Sequence, residues 1–135
     1  MLALVHNLQN RNFLTFEIEG QEVTTHEDFH KHLKETFQFH DWYGENWNAY
    51  FELMIDLDWH QFTGIFIVIK DAEHLLHHDN ESKNTFFRTQ NLIATTWATG
   101  KQINENLSNQ SMPFYTLMIS NDRHFTKQLP LLRSE

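Results

Sequence analysis

The sequence predicts an α/β fold: a small three-stranded parallel sheet with helices packed against it, in one domain. Two observations lead there. Three short segments, at residues 13–18, 64–69 and 114–119, carry strand patterning, while the stretches between them carry helical spacing. Strands separated by helical crossovers then pair in parallel, because a hairpin connection is too short to hold a helix.

In residues 13–18, Phe13, Thr15 and Glu17 alternate with Leu14, Phe16 and Ile18, and Glu19, Gly20 and Gln21 turn the chain. Thr24, with Glu27 three residues on, reads as a capping box that starts a helix near Thr25. Its apolar positions Phe29, Leu33 and Phe37 form one stripe. A loop over residues 39–44 precedes a second helix over 46–57. Residues 64–69 are a continuous apolar, β-branched run, as expected of a strand covered on both faces. Residues 71–78 fit a short helix, and 79–84 a polar break. A long helix follows over 85–99, with Phe86, Leu92, Ile93 and Trp97 inward and Gly100 as its terminator. Residues 101–111 read as a polar loop and 114–119 as the last strand.

The chain has 135 residues, enough for one sizeable core. It is 40% hydrophobic and 14% aromatic, too apolar for a disordered segment. No apolar run approaches the length of a membrane span, and the first residues lack the basic start of a signal peptide. The absence of cysteine excludes disulfides, thiolate metal sites and a cysteine nucleophile, and the expected location is the cytoplasm. Eighteen acids against ten Lys and Arg leave a formal charge of −8. Such a surface repels nucleic acid and speeds encounter with a basic partner, although acidity for solubility alone reads the same way.

The most informative stretch is residues 40–57. As a helix from Asn46, one face carries Trp47, Tyr50, Met54 and Leu57, a core stripe. The other carries Glu45, Asn48, Glu52 and Asp56, a polar and mostly acidic stripe flanked by Trp42, Tyr43 and Phe51. Carboxylates edged by rings suit a binding surface for a cationic pocket. An ordinary solvated helix face beside core rings has the same pattern.

The segment Trp42-Tyr43-Gly44-Glu45-Asn46-Trp47-Asn48-Ala49-Tyr50-Phe51-Glu52 resembles the aromatic-Tyr-Gly-Glu-Asn segment of the barstar family, the intracellular inhibitors of barnase. Residues 28–35 are similar to the family's first helix, and 16–23 to its first strand and turn. Residues 64–120 match in element order, and 1–12 and 121–135 read as extensions. The resemblance implies no enzyme and no cofactor. It implies a stoichiometric inhibitor, monomeric when free, that protects its cell from a basic ribonuclease, secreted or delivered as a toxin. The implied contact set is Trp42, Tyr43, Gly44, Glu45, Asn48, Phe51, Glu52, Ile55 and Asp56, with Glu52 standing in for a substrate phosphate. At the matching positions the family carries an acid for Asn48, a Trp for Phe51 and an Asp for Glu52. These departures point to a ribonuclease other than a close barnase relative.

A competing reading is enzymatic. His26-Glu27-Asp28-Phe29-His30 matches the H-E-x-x-H zinc-hydrolase motif, with two histidines as ligands and Glu27 as general base. Against it, the motif falls in the first turn of a capped helix, Asp28 is charged, and no third ligand is placed by pattern. The expectation is therefore no metal. His74, His77 and His78 read as a solvated polar face. No nucleophile elbow, phosphate loop or dinucleotide fingerprint occurs. A third possibility is a barstar-like scaffold that serves some other protein contact.

Overall fold

A computed structural model describes residues 2–37, 44–55, 62–99 and 112–123. Helix α1 (Leu2–Asn10) leads into strand β1 (Phe13–Glu19), then helices α2 (His26–Phe37) and α3 (Trp47–Met54). Strand β2 (Gly64–Lys70), helix α4 (Asn80–Ala98) and strand β3 (Phe114–Met118) follow. The strands lie in the order β1-β2-β3, and both pairings are parallel, as the sequence predicts.

The register sorts the side chains. Leu14, Ile65 and Phe114 stand side by side, as do Ile18, Ile69 and Met118, and all face the main core. Phe29 and Leu33 from α2, Tyr50 and Met54 from α3, and Phe86, Ile93 and Trp97 from α4 complete it. Alternation puts Thr15 and Val68 on the opposite face. There α1 packs against β1: Val5 is buried, and Gln9 Nε2 donates to Thr15 Oγ1 at 3.1 Å. Val68 is itself fully buried, so β2 is covered on both sides, as its unbroken apolar run requires.

Several expectations need correction. Residues 1–12, expected as an extension, carry a helix of their own, α1. The cap of α2 sits one residue later than predicted: Thr25 Oγ1 accepts from the Asp28 N–H at 3.2 Å. The Asp28 carboxylate accepts in turn from the Thr24 N–H and hydroxyl at 3.2 and 3.1 Å. Glu27 has no part in the cap and is exposed. Asp28 wins because it is the residue three beyond the true cap, and its shorter side chain folds back onto Thr24.

Residues 71–78 hold only a 3-10 turn, Ala72–His74. Their backbone is used elsewhere, with Leu76 N–H donating to Val23 O and His78 N–H to Thr24 O. Nor are residues 79–84 a break. Asp79 caps α4, accepting from the Ser82 N–H at 3.1 Å, so that polar run is the first turn of the helix. Leu92, expected inward, is 53% exposed, because the buried stripe of α4 runs through Phe86, Ile93 and Trp97. Gly100, the 101–111 loop, Leu57 and residues 124–135 lie outside the described residues, as does the Phe37 side chain.

Gly20 joins β1 to the layer of α2. A Cβ there would lie 2.2 Å from Asp71 O and 2.7 Å from Lys70 O, so only glycine lets the turn after β1 close on the end of β2. Among the described residues, no helix is long and apolar enough to cross a membrane.

Candidate functional site on helix α3

Helix α3 is short, and its start is built from local chemistry. Asn46 caps it, accepting from the Ala49 N–H at 2.8 Å, while its own Nδ2 donates to Gly44 O at 3.1 Å. The preceding Glu45 holds a left-handed backbone, φ 51°. From this start the helix divides its side chains. Tyr50 and Met54 are fully buried and Trp47 half-buried, whereas Asn48 and Glu52 are exposed together with Glu45 and Gly44. Phe51 is half-buried and packs against the core. The helix ends at Met54, short of the predicted 57, with Ile55 as its cap. Ile55 is 6% exposed and belongs to the core, so it cannot serve as an accessible contact. Trp42, Tyr43 and Asp56 lie outside the described residues.

Two buried polar links hold α3 to the rest of the fold. Tyr50 Oη donates to Gln90 Oε1, and Gln90 Nε2 donates to Thr116 Oγ1 at 2.7 Å, so one glutamine ties α3, α4 and β3 together. Trp97 Nε1 donates to Met54 O at 3.0 Å, satisfying a carbonyl at the helix end. Sequence reasoning missed Gln90 and Thr116, because a polar side chain on a helical pattern gives no sign of being buried.

On its other side α3 meets α2 through rings. Trp47 lies 4.7 Å, centroid to centroid, from both Phe29 and His30, and 5.7 Å from His26. His26 and His30 stack edge-on at 4.4 Å, and His26 Nε2 donates to Glu45 O at 3.2 Å. The H-E-x-x-H pair is thus part of the packing between α2 and α3. A catalytic zinc site keeps a coordination position open to water, but His30 is wholly enclosed. Among the described residues, no three His, Asp or Glu side chains gather as a metal site, and this includes His74, His77 and His78.

Burial, and then the neighbouring His26, pushes His30 down from 6.5 to about 3, so it is neutral at physiological pH. Two carboxylates shift the other way from their burial. Burial works to raise Asp28, but the hydrogen bonds from Thr24 and Thr25 outweigh it and hold the group below its ordinary value. Asp79 is held low by the Ser82 N–H and hydroxyl, with a further bond from the His26 backbone N–H.

A parallel three-stranded sheet, helices on its core face and a Gly44-Glu45-Asn46 turn opening an exposed polar helix face are one combination, and a family model fits it. The model described as barstar (barnase inhibitor) matches residues 13–119. The chain belongs to the barstar family. Comparison with individually curated proteins gave no match. The matched span includes β1 to β3 and α2 to α4, while α1 falls before it. The barstar family is an inhibitor family rather than an enzyme family, which accords with the packing role of His26 and His30.

Proposed function

We propose that this barstar-family chain is a stoichiometric inhibitor that blocks the active site of a basic ribonuclease with α3 and the turn before it. The observation that carries the reading is the side-chain division of α3: Asn48 and Glu52 stand in solvent along a helix whose other side is locked into the core. Glu52 lies where the resemblance puts the phosphate-mimicking acid. Gly44 and Glu45, exposed before the helix start, and half-buried Phe51 belong to the same proposed set, which Trp42, Tyr43 and Asp56 extend in sequence. A rigid helix presents a carboxylate better than a loop does, because less conformational freedom is lost on binding. The chain would act as a monomer in the cytoplasm, as self-protection against a secreted ribonuclease or as immunity to a delivered toxin.

Cleavage of RNA by barnase and by a panel of other small basic ribonucleases, titrated with the purified chain, tests the proposal. Expected is equimolar inhibition of at least one. Glu52→Ala should then weaken binding by about 2–5 kcal/mol, the cost of leaving desolvated cations unpaired. Its melting should stay within about 0.5 kcal/mol of wild type, since the residue is exposed and outside the core. Inhibition undiminished in Glu52→Ala would place the contact elsewhere on the molecule.

A further inference from the structure

We propose that His26 is a positioning residue for the inhibitory face: by donating from Nε2 to the Glu45 carbonyl, it sets the turn that aims Glu45, Asn48 and Glu52 outward. The consequence for binding rests on the inhibitor reading; the geometry does not. Three helix starts meet at this residue. His26 is the first residue of α2. Its backbone N–H donates to the Asp79 carboxylate, which caps α4. Its ring reaches Glu45 O, one residue before the Asn46 cap of α3. Trp47, the first residue of α3, packs edge-on against the same ring.

The strain in the turn gives the bond its purpose. A left-handed backbone is unfavourable for a residue with a Cβ and persists where the surroundings hold it. Glu45 has that backbone, and the bond from His26 falls on its own carbonyl. The Asn46 Nδ2 bond to Gly44 O braces the residue before it. Without His26, the turn is free to relax toward an ordinary conformation, and the start of α3 moves with it. The chemistry also accounts for the H-E-x-x-H pattern. A carbonyl only accepts, so Nε2 carries the proton, and a protonated ring nitrogen has no lone pair for a metal. Its partner in the motif, His30, lies behind it as packing.

The test has two arms. In the free protein, nitrogen-15 NMR of the imidazole reads the tautomer. A proton on Nε2, slow to exchange, is expected; a bare Nε2 with the proton on Nδ1 would overturn the clamp. The second arm measures association and dissociation rates with inactivated barnase and the other ribonucleases of the panel, at a pH well above the histidine range. Loss of positioning lowers the fraction of inhibitor ready to bind, so the cost falls on association. His26→Leu should associate about fivefold to tenfold more slowly, with dissociation unchanged. His26→Gln, which keeps a side-chain donor, should recover most of the rate. Glu52→Ala, by contrast, should speed dissociation, as loss of a direct contact does. His26→Leu associating like wild type, or His26→Gln no better than His26→Leu, overturns the positioning role. If wild type binds none of these ribonucleases, the inhibitor reading fails by itself, and the tautomer still decides whether His26 holds the turn.

Discussion

Single residues in this protein do work that their type alone does not announce. His30 is a buried base that is neutral in the fold and charged in the unfolded chain at mildly acid pH. Its folded value, about 3, lies below the unfolded 6.5, so the unfolded state binds the extra proton between them. Stability from His30 is therefore full above pH 6.5 and is lost progressively as pH falls from there toward 3. Between neutral pH and about pH 5 the loss from this group is about 2 kcal/mol. Urea unfolding across that range should show it, and His30→Leu should flatten the dependence even if it starts less stable. An equally steep dependence in His30→Leu would assign the effect to other histidines. Asp28 and Asp79 act further down: their stabilisation is present above the ordinary carboxylate range and fades as pH falls through it toward their lowered values. Ile55 makes a different point. Placed in the contact set by resemblance, it is core, so Ile55→Ala should cost about 2–4 kcal/mol of folding stability, with binding lost only as far as the fold is.

At the scale of elements, helix starts and cross-links decide how α3 is held. The N-termini of α2 and α4 share Asp79, whose carboxylate accepts from Ser82 and from the His26 backbone. Asp79→Ala should cost about 1–3 kcal/mol, a lost cap plus an abandoned donor, whereas Glu27→Ala should be nearly neutral. A loss in Glu27→Ala as large as that in Asp79→Ala, measured by urea titration, would give Glu27 a capping role that the Thr25 and Asp28 bonds do not. Gln90→Leu should also destabilise by about 1–3 kcal/mol, because the Tyr50 and Thr116 hydroxyls both lose a partner. Helix α1 stands apart from these. It lies outside the family match and against the far face of the sheet, near β1 rather than α3. Deleting residues 1–10 should uncover the sheet face beneath α1 and lower the melting temperature, while leaving the proposed ribonuclease binding at its wild-type strength.

For the whole molecule, charge governs encounter. The net formal charge is −8, and both described acids of the proposed face, Glu45 and Glu52, are exposed. The basic ribonuclease of the proposed function would be drawn in by this field, and salt screens it over about 8–10 Å at ordinary ionic strength. Association measured by stopped flow should slow steeply as salt rises, while dissociation changes little. A salt-independent association rate would contradict steering. The exposed ion pairs of Lys70 with Glu17 and Glu19, at 2.7 and 4.0 Å, sit on the opposite sheet face and contribute little to either stability or binding.

Patterns that repeat along the chain were legible without coordinates. The three strands and the helical stripes of Phe29 and Leu33, or Tyr50 and Met54, follow from the two periodicities of backbone structure, and those set the parallel α/β order. The exposed side of α3 was legible too, because its polar positions recur at helical spacing. Boundaries and pairings were not. A cap is settled by one hydrogen bond, so Thr25 and Asp28 could displace Thr24 and Glu27 with no change in pattern. Gln90, Thr116 and His30 look like surface residues until distant segments close around them, and Leu92 and Ile55 trade places for the same reason. Which face a residue joins depends on where the neighbouring helix comes to rest, and that is fixed by contacts tens of residues apart in sequence.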